Sequence, residues 1–143
     1  MSNALVPELS VRDCAASMRF YCDLLGFAVR YARPEEGFCY LEREGAEIML
    51  DQIGLGRDFD GGHLPGARPF GRGVNLQIAV SALAPILTAL EGAGVAPFLG
   101  PEERWYRVGA EEAGNRQVVV ADPDGYLLRF FEDMGRRPVA PGQ

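Results

Sequence analysis

One succession of local patterns occurs twice in this chain, and the repeat limits the possible folds more than any other feature. A strand-like segment, an amphipathic helix and a glycine stop cover residues 5–27, and the same succession returns over 74–95. Further strand-like segments follow each helix, so the predicted unit is strand–helix–strand–strand–strand. Neither copy could bury its sheet alone. The sequence therefore predicts an α+β fold in which two βαβββ modules form a cleft-shaped mixed sheet.

The first helix is predicted from an apolar stripe. Cys14, Met18, Tyr21 and Leu25 follow one another at helical spacing, so they lie on the face that packs against a sheet. Together the repeats are expected to form a single domain over residues 1–135. Its parts are module one at about 5–52, a linker loop at about 53–72 and module two at about 73–133, followed by a flexible tail at 136–143.

Strand-like segments complete each module. Residues 101–115 are instead predicted to form a loop because they are rich in charged residues. Asp122–Gly125 predicts a reverse turn, because proline presets φ and glycine accepts the left-handed exit. The predicted strands are 5–11, 27–33, 38–43 and 46–52 in module one, and 74–80, 95–100, 116–121 and 126–132 in module two, whose helix is predicted over 82–93.

Charge and composition exclude several classes of function. The formal net charge of -6 argues against nucleic-acid binding, because phosphate contacts need clustered Lys and Arg. No run of about 18 apolar residues could span a membrane, and the N-terminus has no secretion-signal pattern. Three cysteines without metal-type spacing suit a reducing compartment. We therefore expect a cytoplasmic protein with neither nucleic acid nor membrane as a partner.

Three motifs carry a family resemblance across both repeats. They are Leu9–Asp13 (LSVRD), Leu24–Phe27 (LLGF) and Asp122–Tyr126 (DPDGY). Together they resemble the vicinal oxygen chelate superfamily, which holds glyoxalase I, extradiol dioxygenases and the fosfomycin- and bleomycin-resistance proteins. The resemblance covers roughly residues 5–133. It implies the glyoxalase/bleomycin resistance fold, but a fold of this kind hosts many activities.

Further segments resemble the bleomycin-resistance branch of that superfamily. Residues 31–38 and 70–75 are similar to it, as is Trp105–Arg107 followed by Gln117. The resemblance implies a homodimer with two clefts between protomers, which bind the cationic glycopeptide without altering it. It also implies a cleft tryptophan at the position that is Gly114 here.

The superfamily's metal site can be compared with this chain position by position. Its enzymes hold a divalent metal on histidines and carboxylates from four strands, because the ion needs lone-pair donors. This chain has one histidine, His63, in the predicted inter-module loop. The resemblance also places an arginine, Arg129, at one ligand position, and a guanidinium cannot ligate a metal. We therefore expect no metal, no cofactor and no catalytic residue. The resemblance places the ligand positions at Val6, Asn75, Arg129 and either Met49 or Leu50, with Glu47 and Asp51 close enough to leave that register open.

A binding site without a metal needs aromatic surfaces and a few fixed polar groups. Phe38 and Tyr40 alternate along one predicted strand, and Asn75 and Gln77 share a face of another. Phe38 and Tyr40 could equally be core residues, and Asn75 could form a buried polar network with Arg129. The predicted ligand-binding residues are Phe38, Tyr40, Asn75, Gln77, Trp105, Tyr106, Arg107 and Arg129.

Paired carboxylates are predicted to hold the cationic part of the ligand. These pairs are Glu35–Glu36, Glu102–Glu103 and Glu111–Glu112. The expected function is metal-independent binding and sequestration of a bleomycin-like or other aromatic, cationic small molecule by a homodimer. Two alternatives remain open: a metal-dependent glyoxalase- or dioxygenase-like enzyme with atypical ligands, and a non-catalytic small-molecule sensor.

Overall fold

Each repeat folds into its own four-stranded mixed sheet, and the two sheets have the same internal strand order. The computed structural model describes residues 3–56, 64 and 66–139. The orders are β1-β4-β3-β2 and β5-β8-β7-β6. The predicted α+β fold of two βαβββ modules is confirmed. The elements are β1 (Glu8–Val11), α1 (Cys14–Met18, continued by a π-helical segment, Arg19–Leu24), β2 (Ala28–Arg33), a 3₁₀ turn (Pro34–Glu36), β3 (Phe38–Arg43), β4 (Ala46–Gln52), β5 (Asn75–Ala79), α2 (Ala84–Gly92), β6 (Leu99–Val108), β7 (Glu111–Ala121) and β8 (Leu127–Pro138).

The chain divides into two compact units. The first takes in the chain up to Val74 together with Asp122–Tyr126, and the second takes in Asn75–Ala121 and the chain from Leu127 onward. In the first unit β1 runs parallel to β4, while β3 is antiparallel to both β4 and β2. In the second unit β5 runs parallel to β8, and β7 is antiparallel to both β8 and β6.

The first helix forms where the apolar stripe predicts it. The Asp13 carboxylate caps its N-terminus by accepting a hydrogen bond from the Ala16 amide at 3.1 Å. Tyr21 and Leu25 from the predicted stripe are fully or almost fully buried in the core of the first unit. In the second unit, α2 contributes Ile86 and Leu90 to the core. Neither helix in the described part of the chain is long and apolar enough to cross a bilayer.

The predicted reverse turn at Asp122–Gly125 is confirmed and anchors the first unit. The Gly125 amide donates to the Asp122 carbonyl at 2.9 Å. The Asp122 carboxylate accepts the Asp124 and Tyr126 amides at 2.9 Å and the Tyr21 hydroxyl at 2.8 Å. Burial nevertheless raises the pKa of Asp122 to about 6, because the ionised carboxylate is poorly solvated there.

Part of the predicted linker belongs to the first unit. Phe70 is buried, its amide donates to the Asp124 carbonyl at 2.8 Å, and its ring contacts Tyr126 edge-on with centroids 6.2 Å apart. Arg68 also donates to the Pro123 carbonyl. The end of the predicted linker is therefore tied to the first unit through Phe70 and Arg68, although residues 66–69 are exposed. The prediction that His63 is a loop residue lies outside the described residues.

The predicted loop over 101–115 is wrong, because these residues form the β6–β7 hairpin. Its charged residues suggested a loop, but β6 is an edge strand and therefore needs little apolar alternation. The predicted tail is also wrong for residues 136–138, which belong to β8. Arg136 and Arg137 lie opposite Ala113 and Glu112 on β7, and they form ion pairs with Glu111 and Glu112.

Candidate functional site

A groove lies on one face of the second sheet and receives side chains from all four of its strands. Alternation along each strand places these residues on the same face, and the groove has a volume of about 370 Å³. Polar side chains mix with apolar ones, as in a typical small-molecule site. The groove is lined by Asn75, Phe98, Leu99, Glu102, Arg104, Tyr106, Gln117, Val119, Leu127 and Arg129.

Gln117, on the central strand β7, is the buried polar residue of the groove. Its side chain is only 3% exposed. The amide nitrogen donates to the Tyr106 hydroxyl at 2.8 Å and to the Glu102 carboxylate at 3.1 Å. A carboxylate accepts but cannot donate when ionised, so Glu102 fixes which end of the amide faces it. The Gln117 carbonyl oxygen is buried and has no hydrogen-bond partner among the described residues.

Arg129 supplies a second unpartnered polar group to the same groove. Its Nε atom is buried and has no hydrogen-bond partner in the part of the chain that the structure describes. Arg129 lies opposite Val119, two residues along β7 from Gln117, so the two polar side chains are diagonal neighbours on one face. Burying a polar group without a partner costs free energy. The groove therefore offers one acceptor and one donor that a ligand could satisfy.

The charges in this groove differ from those of the chain as a whole. Arg104 and Arg129 contribute two positive charges and Glu102 contributes one negative charge, whereas the protein carries a net charge of -6. The Arg104 guanidinium also lies 5.9 Å from the centre of the Tyr106 ring. This local field favours ligand groups that accept hydrogen bonds from the two arginines.

The acidic pairs predicted to hold a cationic ligand have partners within the chain. Glu36 pairs with Arg33 at 2.7 Å, and Glu112 pairs with Arg137 at 3.0 Å. Glu111 lies 3.8 Å from Arg136. Arginines of the same unit therefore already pair with Glu36, Glu111 and Glu112, whereas Glu102 accepts from Gln117 and Glu103 from Trp105.

Phe38 and Tyr40 lie on a different surface, the polar face of the first sheet. Both are buried, and the half-exposed Tyr31 ring stacks on Tyr40 with centroids 5.1 Å apart. The Tyr40 hydroxyl donates to the Glu47 carboxylate at 3.0 Å, and Arg30 pairs with the same carboxylate. The Asn3 amide is the leading cause that lowers the pKa of Glu47, helped by Tyr40 and Arg30.

Trp105 and Arg107 are not brought together with Tyr106. Because β6 is a strand, its successive side chains point to opposite faces, and only Tyr106 of this triplet lines the groove. The Trp105 ring instead lies over Gly114, where an added Cβ would come within 2.6 Å of it. The Arg137 guanidinium covers the ring at 3.9 Å. Trp105 thus occupies the space that a side chain at position 114 would need.

Asn75 lines the groove and is exposed, which argues against the alternative that it forms a buried polar network with Arg129. Gln77, which shares its strand face, lies opposite Arg129 and is exposed. Sequence reasoning missed Gln117 as the buried polar residue. The available signal was an amide immediately before three consecutive valines in a predicted strand.

The groove residues do not fit a divalent metal. Asn75 and Arg129, which the resemblance predicts at two ligand positions, both line the groove, and the Arg129 guanidinium brings a positive charge to it that disfavours a cation. Within the described ranges, no group of three His, Cys, Asp or Glu side chains could hold a metal ion. Pairing with β3 shows which of the β4 candidates share a face, because Glu47, Met49 and Asp51 lie opposite Glu42, Tyr40 and Phe38. Met49 lies opposite Tyr40 and shares its face, while Leu50 lies in the core.

Comparison with known proteins agrees with this architecture. The bleomycin resistance proteins of Geobacillus stearothermophilus and Staphylococcus aureus are 28% identical over 135 residues, which is 90% of this chain and 96% of each relative. The fold matches the crystal structure of TioX from Micromonospora sp. ML1 with a TM-score of 0.66 and 19% identity, over 93% of this chain and 100% of TioX. It also matches a bleomycin resistance determinant encoded on the transposon Tn5, with a TM-score of 0.60 and 20% identity, over 93% and 99% of the two chains. Finally, the family model described as the Glyoxalase/Bleomycin resistance protein/Dioxygenase superfamily matches residues 4–130, and the chain belongs to that superfamily.

Proposed function

We propose that this protein binds and sequesters a bleomycin-like, or otherwise similar aromatic, small molecule without altering it. One observation carries the proposal. The groove contains an aromatic side chain, Tyr106, and a buried polar residue, Gln117, whose side-chain carbonyl oxygen has no partner among the described residues. Burying such an atom costs free energy until a hydrogen-bond donor, such as an N–H of a ligand, pairs with it. The identity to bleomycin resistance proteins supports this choice of ligand class.

The groove is better equipped for binding than for bond making. Among the described residues that line it, Glu102 is the single carboxylate, and it already accepts a hydrogen bond from Gln117. The described residues of the lining include no cysteine, serine or histidine that could act as nucleophile or base. Binding energy in this groove would hold a ligand in its ground state, which is what sequestration requires.

A homodimer is part of the same proposal. Large apolar side chains are exposed in the described part of each unit, among them Tyr31 and Val74 in the first unit and Phe98 and Leu99 in the second. Because single exposed apolar side chains are common on protein surfaces, the homodimer rests on the resemblance to the bleomycin-resistance branch, which implies one. Multi-angle light scattering on the purified protein tests this, and a monomer mass at the concentrations used for binding would contradict it.

Titration calorimetry with metal-free bleomycin tests the function directly. We expect saturable binding with one drug molecule per protomer, and mass spectrometry of the recovered drug should show an unchanged mass. Tyr106→Ala should weaken binding because it removes the aromatic surface. Arg136→Met is the matched control, because Arg136 is exposed and lies outside the groove. An absence of saturable heat at micromolar protein, or a modified drug, would overturn the proposal.

A further inference from the structure

The groove of the second sheet selects for a particular polar edge on its ligand. Its floor presents one buried acceptor, the carbonyl oxygen of Gln117, and one buried donor, the Nε–H of Arg129. The two residues lie on the neighbouring strands β7 and β8, two register positions apart. At this spacing long side chains on one face lie within reach of a common molecule.

The direction of each hydrogen bond is fixed by the surroundings. If the Gln117 amide were reversed, its oxygen would face the Glu102 carboxylate, and two acceptors would oppose each other. The Tyr106 hydroxyl accepts from the same amide nitrogen at 2.8 Å and holds it in place. A guanidinium has donors and no acceptor. The ligand must therefore donate to Gln117 and accept from Arg129.

We infer that the group bound at the floor of the groove is a lactam or a primary carboxamide on a flat ring, held edge-on. Its N–H donates to the Gln117 carbonyl oxygen and its C=O accepts from Arg129 Nε, while the ring lies against Tyr106 and the apolar Val119 and Leu127. The inference rests on the proposed function, because it takes this groove as the binding site, and it names the chemistry that the site recognises.

Charged groups satisfy only half of this pattern. A carboxylate accepts from Arg129 but faces the Gln117 oxygen and the Glu102 carboxylate, which repel it. An ammonium donates to Gln117 but lies in a groove that also contains Arg104 and Arg129. A lactam or a primary carboxamide carries the donor and the acceptor side by side on one edge without net charge, so it satisfies both groups.

A matched set of small bicyclic ligands tests this without any mutation. Isoquinolin-1(2H)-one carries N–H and C=O on one edge. Its N-methyl derivative loses the donor, and the lactone isocoumarin replaces N–H by oxygen without adding bulk. In titrations followed by ligand-observed NMR, we expect the lactam to bind at least about tenfold more tightly than either analogue, because each analogue leaves the Gln117 oxygen unpaired. Equal affinities would overturn the inference and would mean that water satisfies these groups as well as a ligand does.

Two variants then assign the preference to its residues. Gln117→Met should bring the affinity ratio of lactam to isocoumarin close to one, and the ratio is measured within a single variant, so a change in stability does not affect it. Arg129→Met should lower the affinities for the lactam and for isocoumarin equally, because both ligands keep the carbonyl that accepts from Arg129. Arg136→Met on the same strand β8 should leave every affinity unchanged. A full lactam preference in Gln117→Met would contradict the assignment.

The outcomes separate this inference from the proposed function. If bleomycin binds but the lactam shows no preference, sequestration stands and the amide-specific floor is wrong. If the lactam preference is present and bleomycin does not bind, the floor chemistry stands and the bleomycin-like ligand is wrong.

Discussion

The polar faces of the two sheets differ although the two repeats share one strand order. On the first sheet, the Glu47 carboxylate gathers donors from Arg30, Tyr40 and Asn3, and the Tyr31 ring covers Tyr40. On the second sheet, the buried Gln117 oxygen and Arg129 Nε have no hydrogen-bond partner among the described residues. The first face is satisfied by its own unit, and the second leaves groups for a ligand.

The comparison separates what the repeat requires from what function requires. A βαβββ unit needs a buried apolar face, and both copies supply one, with Val11 and Leu41 in the first unit and Val118 and Phe130 in the second. The opposite face of each sheet is free to change. Natural proteins rarely leave buried polar atoms unpaired, and each case calls for an explanation. In the second sheet, a ligand is the explanation that we propose.

The largest expected difference follows from one substitution made in both units. Tyr21 is fully buried, contacts Phe20 and Phe27 edge-on and donates to Asp122, whereas Tyr106 is 36% exposed in the groove. Tyr21→Ala should lower the free energy of unfolding by about 4 kcal/mol because it leaves a cavity. Tyr106→Ala should lower it by less than about 1 kcal/mol. Urea denaturation followed by circular dichroism measures both.

Binding should respond in the opposite order. Tyr106→Ala should stay folded but bind the lactam with lower affinity. The folded fraction of Tyr21→Ala should bind the lactam with the affinity of the wild-type protein. A loss of stability in Tyr106→Ala equal to that of Tyr21→Ala would remove the contrast between the two regions.

The pH dependence of stability tests the first unit through Asp122, which lies in its reverse turn. Burial raises the pKa of this carboxyl from 3.8 to about 6, so between these pH values the folded protein keeps a proton that the unfolded chain has lost. The unfolding free energy should therefore fall as pH rises from about 4 to about 6, by at most about 3 kcal/mol, and level off above that. The quantity compared is the unfolding free energy of the wild-type protein minus that of Asp122→Asn at each pH. The contributions of the other acidic groups cancel in this difference. A flat difference over this range would show that the Asp122 pKa is not raised.

The sequence predicts the fold more fully than the site, and particular residues show why. The Cys14–Leu25 stripe and the turn at Asp122–Gly125 are local patterns, so they can be recognised without knowing any partner. The role of Gln117 depends on the pairing of β6 with β7, which places Glu102 opposite it. That pairing was hidden because the charged residues of β6 indicated a loop. Of the predicted ligand-binding residues, Asn75, Tyr106 and Arg129 line the groove. Their binding role stays a prediction.

Gly114 sharpens the comparison within the second unit, because it separates a structural tryptophan from the ligand groove. An added Cβ at this position would lie 2.6 Å from the Trp105 ring. Gly114→Ala should therefore destabilise the protein by about 2 kcal/mol through overpacking. Ligand affinity should stay unchanged, because Trp105 lies on the face of β6 that does not line the groove. The shift in urea midpoint and a lactam titration report the two quantities, and weaker binding without destabilisation would place Trp105 in the ligand site.

The smallest expected effect compares the loss of one polar group from each sheet. Tyr40→Phe removes a buried hydroxyl whose acceptor, Glu47, stays in place, so it should lower the unfolding free energy by about 1 kcal/mol. Gln117→Met gives up the hydrogen bonds to Tyr106 and Glu102 but also removes the unpartnered carbonyl oxygen. These terms oppose each other, so the net change should stay within about 0.5 kcal/mol.

The same pair becomes most informative when ligand is added. Saturating lactam should raise the melting temperature of the wild-type protein and of Tyr40→Phe by equal amounts, because a ligand stabilises whichever folded state it binds. The melting temperature of Gln117→Met should rise less, because its groove no longer offers the acceptor for the lactam N–H. If Gln117→Met lost as much stability without ligand as Tyr40→Phe does, the Gln117 amide would be a structural group like the Tyr40 hydroxyl, and the groove would have no unsatisfied acceptor to drive binding.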